Sequence, residues 1–536
     1  MPFCEQCGAE LSANTNFCEE CGAMIETGFS KESIAVSCAN KNASIESLFK
    51  NRDWKNDWRS VAQENLGCEL GLIITRESAL LDSISQETTP IAEYNKMIND
   101  YLKAAKSWGT YYHYLNLDDL SNFDGQECAS SVVAALREVI NVACPKYLLI
   151  LGDYSIIDCI RWENMTGDGD GLVESDLCYA TLDTRSPWDG LEYDFSKTMR
   201  VGRIPSIRNC GLEPFIKYFT SAQNHIGTFN EISAFGLTAL EWEDESKYEF
   251  AKISTQSINT SPESTLDEIS DILPKNTNLM YFNLHGSEET AYWYGQDSNY
   301  YPETFDPFTL SSYDSPFFLG VEACYGAKFH GDNVYNSILL SALQNNCLSF
   351  LGSSKIAFGA STPEGSCADI VVGNYLKYLS KGYSAGDAHA EGLKSLTSNY
   401  ELVEDTEIKT LAEFCLYGDP SAIMFPINRS SSKPKGKSHN IVKGIHIPMP
   451  NIRNAITAAL TKVDEKIEKN IDAFVIDRFF SGKKKIDFKL VEQKTFKMGK
   501  SKLNQKIYKY KNENMKNVIK VYFDNQGEIK KTLVSK

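Results

Sequence analysis

The sequence predicts an α/β architecture: a largely parallel sheet covered on both faces by helices, followed by a smaller α+β unit. Three observations carry that expectation. Between residues 66 and 427, short β-branched and aromatic runs alternate with longer amphipathic segments, the pattern of strand–helix–strand crossovers. The run Lys146–Leu151 is apolar beyond its first residue, as suits a strand buried on both faces. A Ser/Lys/Pro/Gly stretch at 430–438 then divides this region from a basic segment with its own helix and strand pattern. A chain of 536 residues exceeds what one hydrophobic core usually organises.

Residues 1–26 are predicted to form a zinc ribbon. Cys4 and Cys7 make one Cys-x-x-Cys knuckle, Cys18 and Cys21 a second, and Gly8 and Gly22 follow them. A two-residue gap lets both thiolates of a knuckle face one tetrahedral ion. So short a segment has little core of its own, and metal binding would supply its stability. Residues 27–65 read as a linker with a helical stretch at 44–65.

The first α/β unit, 66–210, is predicted to run strand 71–75, helix 91–108, strand 111–117, helix 128–142 and strand 146–151. The second, 211–427, runs strand 231–240, helix 245–259, strands 279–284 and 316–322, helix 335–345, strand 348–351 and helix 368–380. The segment from Tyr417 to Phe425 closes the sheet. Residues 428–440 read as a flexible linker carrying Arg429, Lys433, Lys435 and Lys437, a suitable place for proteolytic nicking. Residues 441–536 read as a basic α+β domain with a helix at 451–480, strands within 485–534 and a turn at Asp524–Gly527.

Composition narrows the setting. The 15 cysteines are odd in number, and no basic-then-apolar leader precedes Cys4. Both features point to a cytoplasmic protein with free thiols rather than a disulfide framework. No apolar run is long enough to span a bilayer. The net charge is −17, yet residues 441–536 carry 22 Lys and Arg against 10 Asp and Glu. An acidic body is joined to a basic tail. Such a tail is a solvated surface, a docking face for the acidic body, or a contact for nucleic acid or a regulatory partner.

Two predicted strands end in reactive side chains. Leu279–Leu284 delivers His285, and the strand starting at Pro316 delivers Cys324. Open parallel sheets bind ligands beyond the carboxyl ends of their strands. An imidazole beside a thiol there promotes the thiolate and then protonates a leaving amine. The N–H of Gly286, with that of Cys324, would form an oxyanion hole.

The segment Asn283-Leu-His-Gly-Ser-Glu-Glu-Thr-Ala-Tyr-Trp293 resembles the catalytic-histidine segment of the gingipains. Pro316-Phe-Phe-Leu-Gly-Val-Glu-Ala-Cys-Tyr-Gly326 resembles their nucleophile segment. Tyr147–Asp153, Ser175–Tyr179, Met199–Pro205 and Tyr417–Ser421 are similar to further family segments, in the family's order. The resemblance implies a caspase-like fold and a cysteine endopeptidase acting on protein substrates, with His285 as general acid/base and Cys324 as nucleophile. It implies a carboxylate from the first unit to orient the histidine, for which Glu163 and Glu174 are candidates. It also implies Arg or Lys at P1, for which Asp176 is the candidate pocket carboxylate. Asp168, Asp170 and Glu174 fall in the Gly-rich loop Thr166–Glu174, a set of hard oxygens suited to calcium. Without gingipain-like leader segments, a regulated, narrow-specificity role fits best. Two alternatives stay open: an inactive scaffold on the same fold, and a nucleic-acid sensor with protease output.

Overall fold

The computed structural model describes residues 68–427 and 465–536, apart from 83–88, 121–122, 144, 190–192, 299, 312, 361–364, 399–403, 481–487, 499–500 and 513–514. The predicted zinc ribbon and both predicted linkers lie outside the described residues.

Ten strands form one continuous sheet. Their spatial order is Thr110–Asn116, Glu69–Thr75, Tyr147–Leu151, Arg200–Ile204, Phe414–Gly418, Cys347–Ser353, Phe317–Val321, Leu279–Asn283, Ala234–Ala239 and Asn259–Ser261. The first five run parallel to one another, as do the last five. The halves meet antiparallel, with Ser353 opposite Phe414. The two predicted α/β units are therefore two half-sheets. The last strand of the second unit crosses back and completes the first.

The central strands Tyr147–Leu151, Leu279–Asn283 and Phe317–Val321 are buried at every residue. This follows from their apolar runs, interrupted only by Asn283, because helices cover both faces. Each fully buried Leu, Ile, Val or Phe contributes about 1.5–3 kcal/mol. The predicted helix 245–259 is shorter, Glu243–Phe250. In the Ser/Thr-rich segment beyond it, the Ser254 hydroxyl takes the N–H of Gln256 at 3.1 Å. A side chain that competes for backbone donors in this way disfavours helix.

The motif at Tyr417–Ser421 fastens the first half-sheet. Asp419 is fully buried and accepts the hydroxyls of Tyr101 and Tyr112 and, at 2.7 Å, the N–H of Ser421. One carboxylate thus ties the helix Thr89–Ala105 and the strand Thr110–Asn116 to the centre of the sheet.

The C-terminal segment builds a second sheet against the body of the chain. Its strands Phe488–Met498, Ser501–Asn512, Met515–Asp524 and Ile529–Ser535 form an antiparallel sheet. That sheet takes its fifth strand, Phe358–Ala360, from the body of the larger sheet's unit. The helix Glu465–Phe480 packs Ile471 and Val475 on Tyr508, Ile519, Val521 and Phe523. On the sheet's other side, Ile507, Val518, Tyr522 and Leu533 cluster with Ile356, Phe358, Cys367 and Cys324. No helix among the described residues is long and apolar enough to cross a membrane.

Candidate active site

The strand Leu279–Asn283 pairs in parallel with Phe317–Val321, and Phe282 lies opposite Val321. His285 and Cys324 each follow three residues later, so both emerge at one edge of the sheet. A Cβ on Gly286 would lie 1.7 Å from the carbonyl oxygen of Cys324. Only glycine lets the two segments approach this closely. Tyr325, immediately after the cysteine, holds φ at 53°, a strained left-handed value for a bulky residue. Its N–H donates to Lys355 O at 2.7 Å, which holds the sharp turn that presents Cys324.

Nε2 of His285 faces Oε1 of Gln296 at 2.6 Å. The amide NH₂ of Gln296 donates to Ser298 O at 3.1 Å, which fixes the amide's orientation. An amide oxygen only accepts, so Nε2 supplies the proton of this bond. Trp242 and Tyr301 flank the ring, with centroids 4.2 and 5.2 Å away. One partner of the imidazole is thus a neutral amide, absent from the expected site residues. It comes from a hairpin that pairs His285 with Tyr294.

The Cys324 thiol is 4% exposed and lies 3.5 Å from Ala357 O. Burial pushes it well above the usual thiol range. A cleft of about 100 Å³ opens beside it, lined among others by Ser287, Trp293, Tyr325 and Lys328. On the opposite side runs the chain's own C-terminal strand. Ile529–Ser535 lies antiparallel to Phe358–Ala360, with Ser535 opposite Phe358. Lys536 N–H donates to Ala357 O at 3.0 Å, and Cys324 N–H donates to Lys536 O at 3.0 Å. The Lys536 side chain enters a closed pocket, with Nζ 3.3 Å from Asp369 Oδ1, 3.8 Å from Glu322 Oε2 and 4.2 Å from the Trp242 ring centre.

Several expected partners sit elsewhere. Asp176, the expected P1 carboxylate, binds the fully buried Arg203 through both oxygens, at 2.7 and 2.8 Å. Arg203 also donates to Gly152 O and Ile157 O, each at 2.8 Å. Three of the segments noted in sequence, 147–153, 175–179 and 199–205, thus converge on one structural ion pair. The Glu174 carboxylate is 2.9 Å from Lys355 Nζ. Glu163 is exposed on the hairpin strand Ile160–Glu163. The expected calcium ligands hold an ammonium instead. Lys409 Nζ lies 2.6 Å from Asp168 and 2.6 Å from Asp170. That cation neutralises the oxygens a metal would need, and no cluster of potential metal ligands occurs among the described residues. Although burial opposes it, Lys409 holds the Asp168 carboxyl down at about 2.

The largely parallel α/β sheet presents a histidine and a cysteine at adjoining strand ends, the pair of groups a cysteine peptidase needs. The sequence model of peptidase family C25 matches residues 72–425, and the chain belongs to that family. A zinc-ribbon model matches residues 3–25. Among solved structures, the Arg-specific cysteine proteinase gingipain R is similar at 10% identity and a TM-score of 0.47, covering 88% of this chain and 98% of that one. A complex of Porphyromonas gingivalis RgpB pro- and mature domains is similar at 11% identity and a TM-score of 0.46, covering 86% of this chain and 99% of that one. No curated protein matches.

Proposed function

We propose that this cysteine endopeptidase uses Cys324 as nucleophile and His285 as general acid/base, with the N–H groups of Cys324 and Gly286 as oxyanion donors, and that it prefers a basic residue at P1. The observation that carries this reading is the parallel pairing of the two strands, which brings residues His285 and Cys324 to one end of the sheet. In the proposed cycle the thiolate attacks the scissile carbonyl and the tetrahedral oxyanion collects on the N–H groups. The imidazolium then protonates the leaving amine, and water hydrolyses the thioester. The test is a thiol-directed peptidyl probe followed by peptide mapping. An adduct on Cys324 in the wild type, absent from Cys324→Ala, supports the role. A correctly folded wild type that takes no label favours the scaffold reading.

Gln296 is a positioning residue in this proposal. Removing its hydrogen bond costs about 0.5–1.5 kcal/mol, up to roughly tenfold in kcat/KM. Gln296→Glu would place a carboxylate on the imidazole and stabilise imidazolium, which moves the acidic limb of the kcat/KM pH profile upward. An unchanged profile in Gln296→Glu contradicts the assignment.

For the N-terminal module we propose that Cys4, Cys7, Cys18 and Cys21 hold one structural zinc. Metal analysis of the purified chain should give one zinc per chain, and Cys18→Ser should abolish stoichiometric retention; full zinc content in that variant rules the site out. The cytoplasmic, regulated setting remains our reading, as does cleavage within 428–440. Intact-mass spectra of active enzyme that show only full-length chain under every condition contradict the cleavage.

A further inference from the structure

The C-terminal strand beside Cys324 has the bonding pattern of a bound peptide. It adds as an antiparallel strand to Phe358–Ala360, the mode by which extended peptides bind sheet edges. The N–H and carbonyl oxygen of Lys536 bond the Ala357 carbonyl and the Cys324 N–H. The Lys536 side chain fills a pocket beside the histidine, since Trp242 contacts both the His285 ring and the Lys536 ammonium.

The pocket is built for a cation. Glu322 and Asp369 are fully buried. Oε2 of Glu322, Oδ1 of Asp369 and Nζ of Lys536 make no hydrogen bond among the described residues and meet as an ion-pair cluster at 3.3 and 3.8 Å. Two such carboxylates are costly to bury without a positive charge between them. Burial, with the nearby Asp369 charge, pushes the Glu322 carboxyl upward. Burial alone would lower Lys536, but Asp369, Glu322 and Glu245 raise it, so the ammonium stays charged. Glycine at 359 keeps the stem of the pocket open: a Cβ there would lie 2.1 Å from Lys536 Cε and 2.6 Å from Asp369 Oδ1.

We propose that Asp369, Glu322 and Trp242 form the P1 pocket of this peptidase, that Gly359 gives it room for a lysine side chain, and that the strand Ile529–Lys536 lies along Cys324 as a tethered, substrate-like ligand that substrate must displace. This rests on the assignment of Cys324 as nucleophile. It replaces Asp176 with a different set of specificity residues. It also explains the placement of the C-terminal sheet, which buries the thiol and delivers Lys536 to the pocket. Activation then requires displacement of this strand from Phe358–Ala360.

The decisive experiment measures binding and turnover separately. A fluorescent peptide with the sequence of residues 529–536 is titrated by anisotropy into the full chain bearing Cys324→Ala, with Lys536 intact or replaced as Lys536→Ala or Lys536→Met. A tethered competitor acts at an effective concentration near millimolar, so the intact chain should bind the peptide at least ~10-fold more weakly than either Lys536 variant. A control peptide ending in Ala should bind the variants about 10- to 100-fold more weakly, the share of a charge-assisted contact. Adding Gly359→Ala should reduce the lysine peptide to the level of this control. Lys536→Met keeps the aliphatic stem and tests the charge alone. Equal binding by chains with and without Lys536, or equal binding of the two peptides, overturns the proposal. In parallel, Lys536→Ala in the Cys324 chain should lower KM for a lysyl peptide with kcat retained. Turnover with unchanged KM overturns the occupancy and leaves the peptidase intact. Peptide binding as predicted, with no turnover in any chain, upholds the pocket and removes the nucleophile assignment.

Discussion

A chain carrying Cys324→Ala is expected to keep its fold and lose peptide-bond hydrolysis by on the order of 10⁴-fold or more, because no other group can form the covalent intermediate. The substitution removes one sulfur from a cluster shared with Phe358, Val518 and Leu533. Its stability cost is small beside its catalytic cost, so circular dichroism and thermal unfolding should be close to wild type. His285→Ala should lose about 10²- to 10⁴-fold, the usual share of a general acid/base. It should also lose the pH dependence that the imidazole imposes. Combining the two should cost little more than Cys324→Ala alone, since residues that act as a unit are not additive. Independent, additive losses would mean that the two side chains do not share one reaction.

The second large effect is on stability. Arg203→Met should destabilise the folded chain by about 3–5 kcal/mol, because it leaves Asp176 buried without its cation. Two backbone carbonyls, those of Gly152 and Ile157, lose their donor as well. Asp176→Asn should be milder, since the amide oxygen still accepts from the guanidinium. In the fraction that folds, KM for a basic P1 peptide should be unchanged in both variants. Denaturant unfolding checks the first statement and steady-state kinetics the second. A selective rise in KM for Lys or Arg substrates in a stable Asp176→Asn chain would return Asp176 to the substrate pocket.

The contrast between Asp176 and Asp369 shows what sequence could and could not reveal. The strand ends at His285 and Cys324 were legible because an apolar run that stops at a reactive residue is a local pattern. The parallel half-sheets were legible for the same reason, strand by strand. Partners were not, because a carboxylate's partner is set by tertiary approach. Asp176 meets Arg203 from 27 positions away, and Asp168 meets Lys409 from 241. Neither spacing leaves a periodic trace. The acidic Thr166–Glu174 loop looks like a cation site in sequence, and it does bind a cation, an amino group supplied by the helix Asp405–Glu413. Gln296 was missed because a neutral amide carries no catalytic signature until its distance to His285 is known. Asp369 was missed because it opens an ordinary amphipathic helix, Ala368–Ser380.

The C-terminal strand was the least legible feature. Its charge pattern suggested a tail that could dock on an acidic body. Nothing in the sequence indicated that Lys536 would reach Cys324. The basic character of residues 441–536 now has a local reading at several positions: Lys536 faces Asp369 and Glu322, Lys531 pairs with Glu407, and Lys520 bonds Thr406. Lys520 is fully buried, and desolvation draws it down to about 8. Its folded-state value is below that of the unfolded chain. The folded state therefore binds fewer protons between about 8 and the usual lysine range, and this residue's contribution makes the chain more stable as pH rises through that window.

The most direct test of the central claim is a positional peptide library presented to the wild type and to Cys324→Ala. The wild type should cleave after lysine or arginine, and Cys324→Ala should not cleave at all. Cleavage that persists in Cys324→Ala, or a wild type that prefers acidic or apolar residues at P1, would contradict that claim.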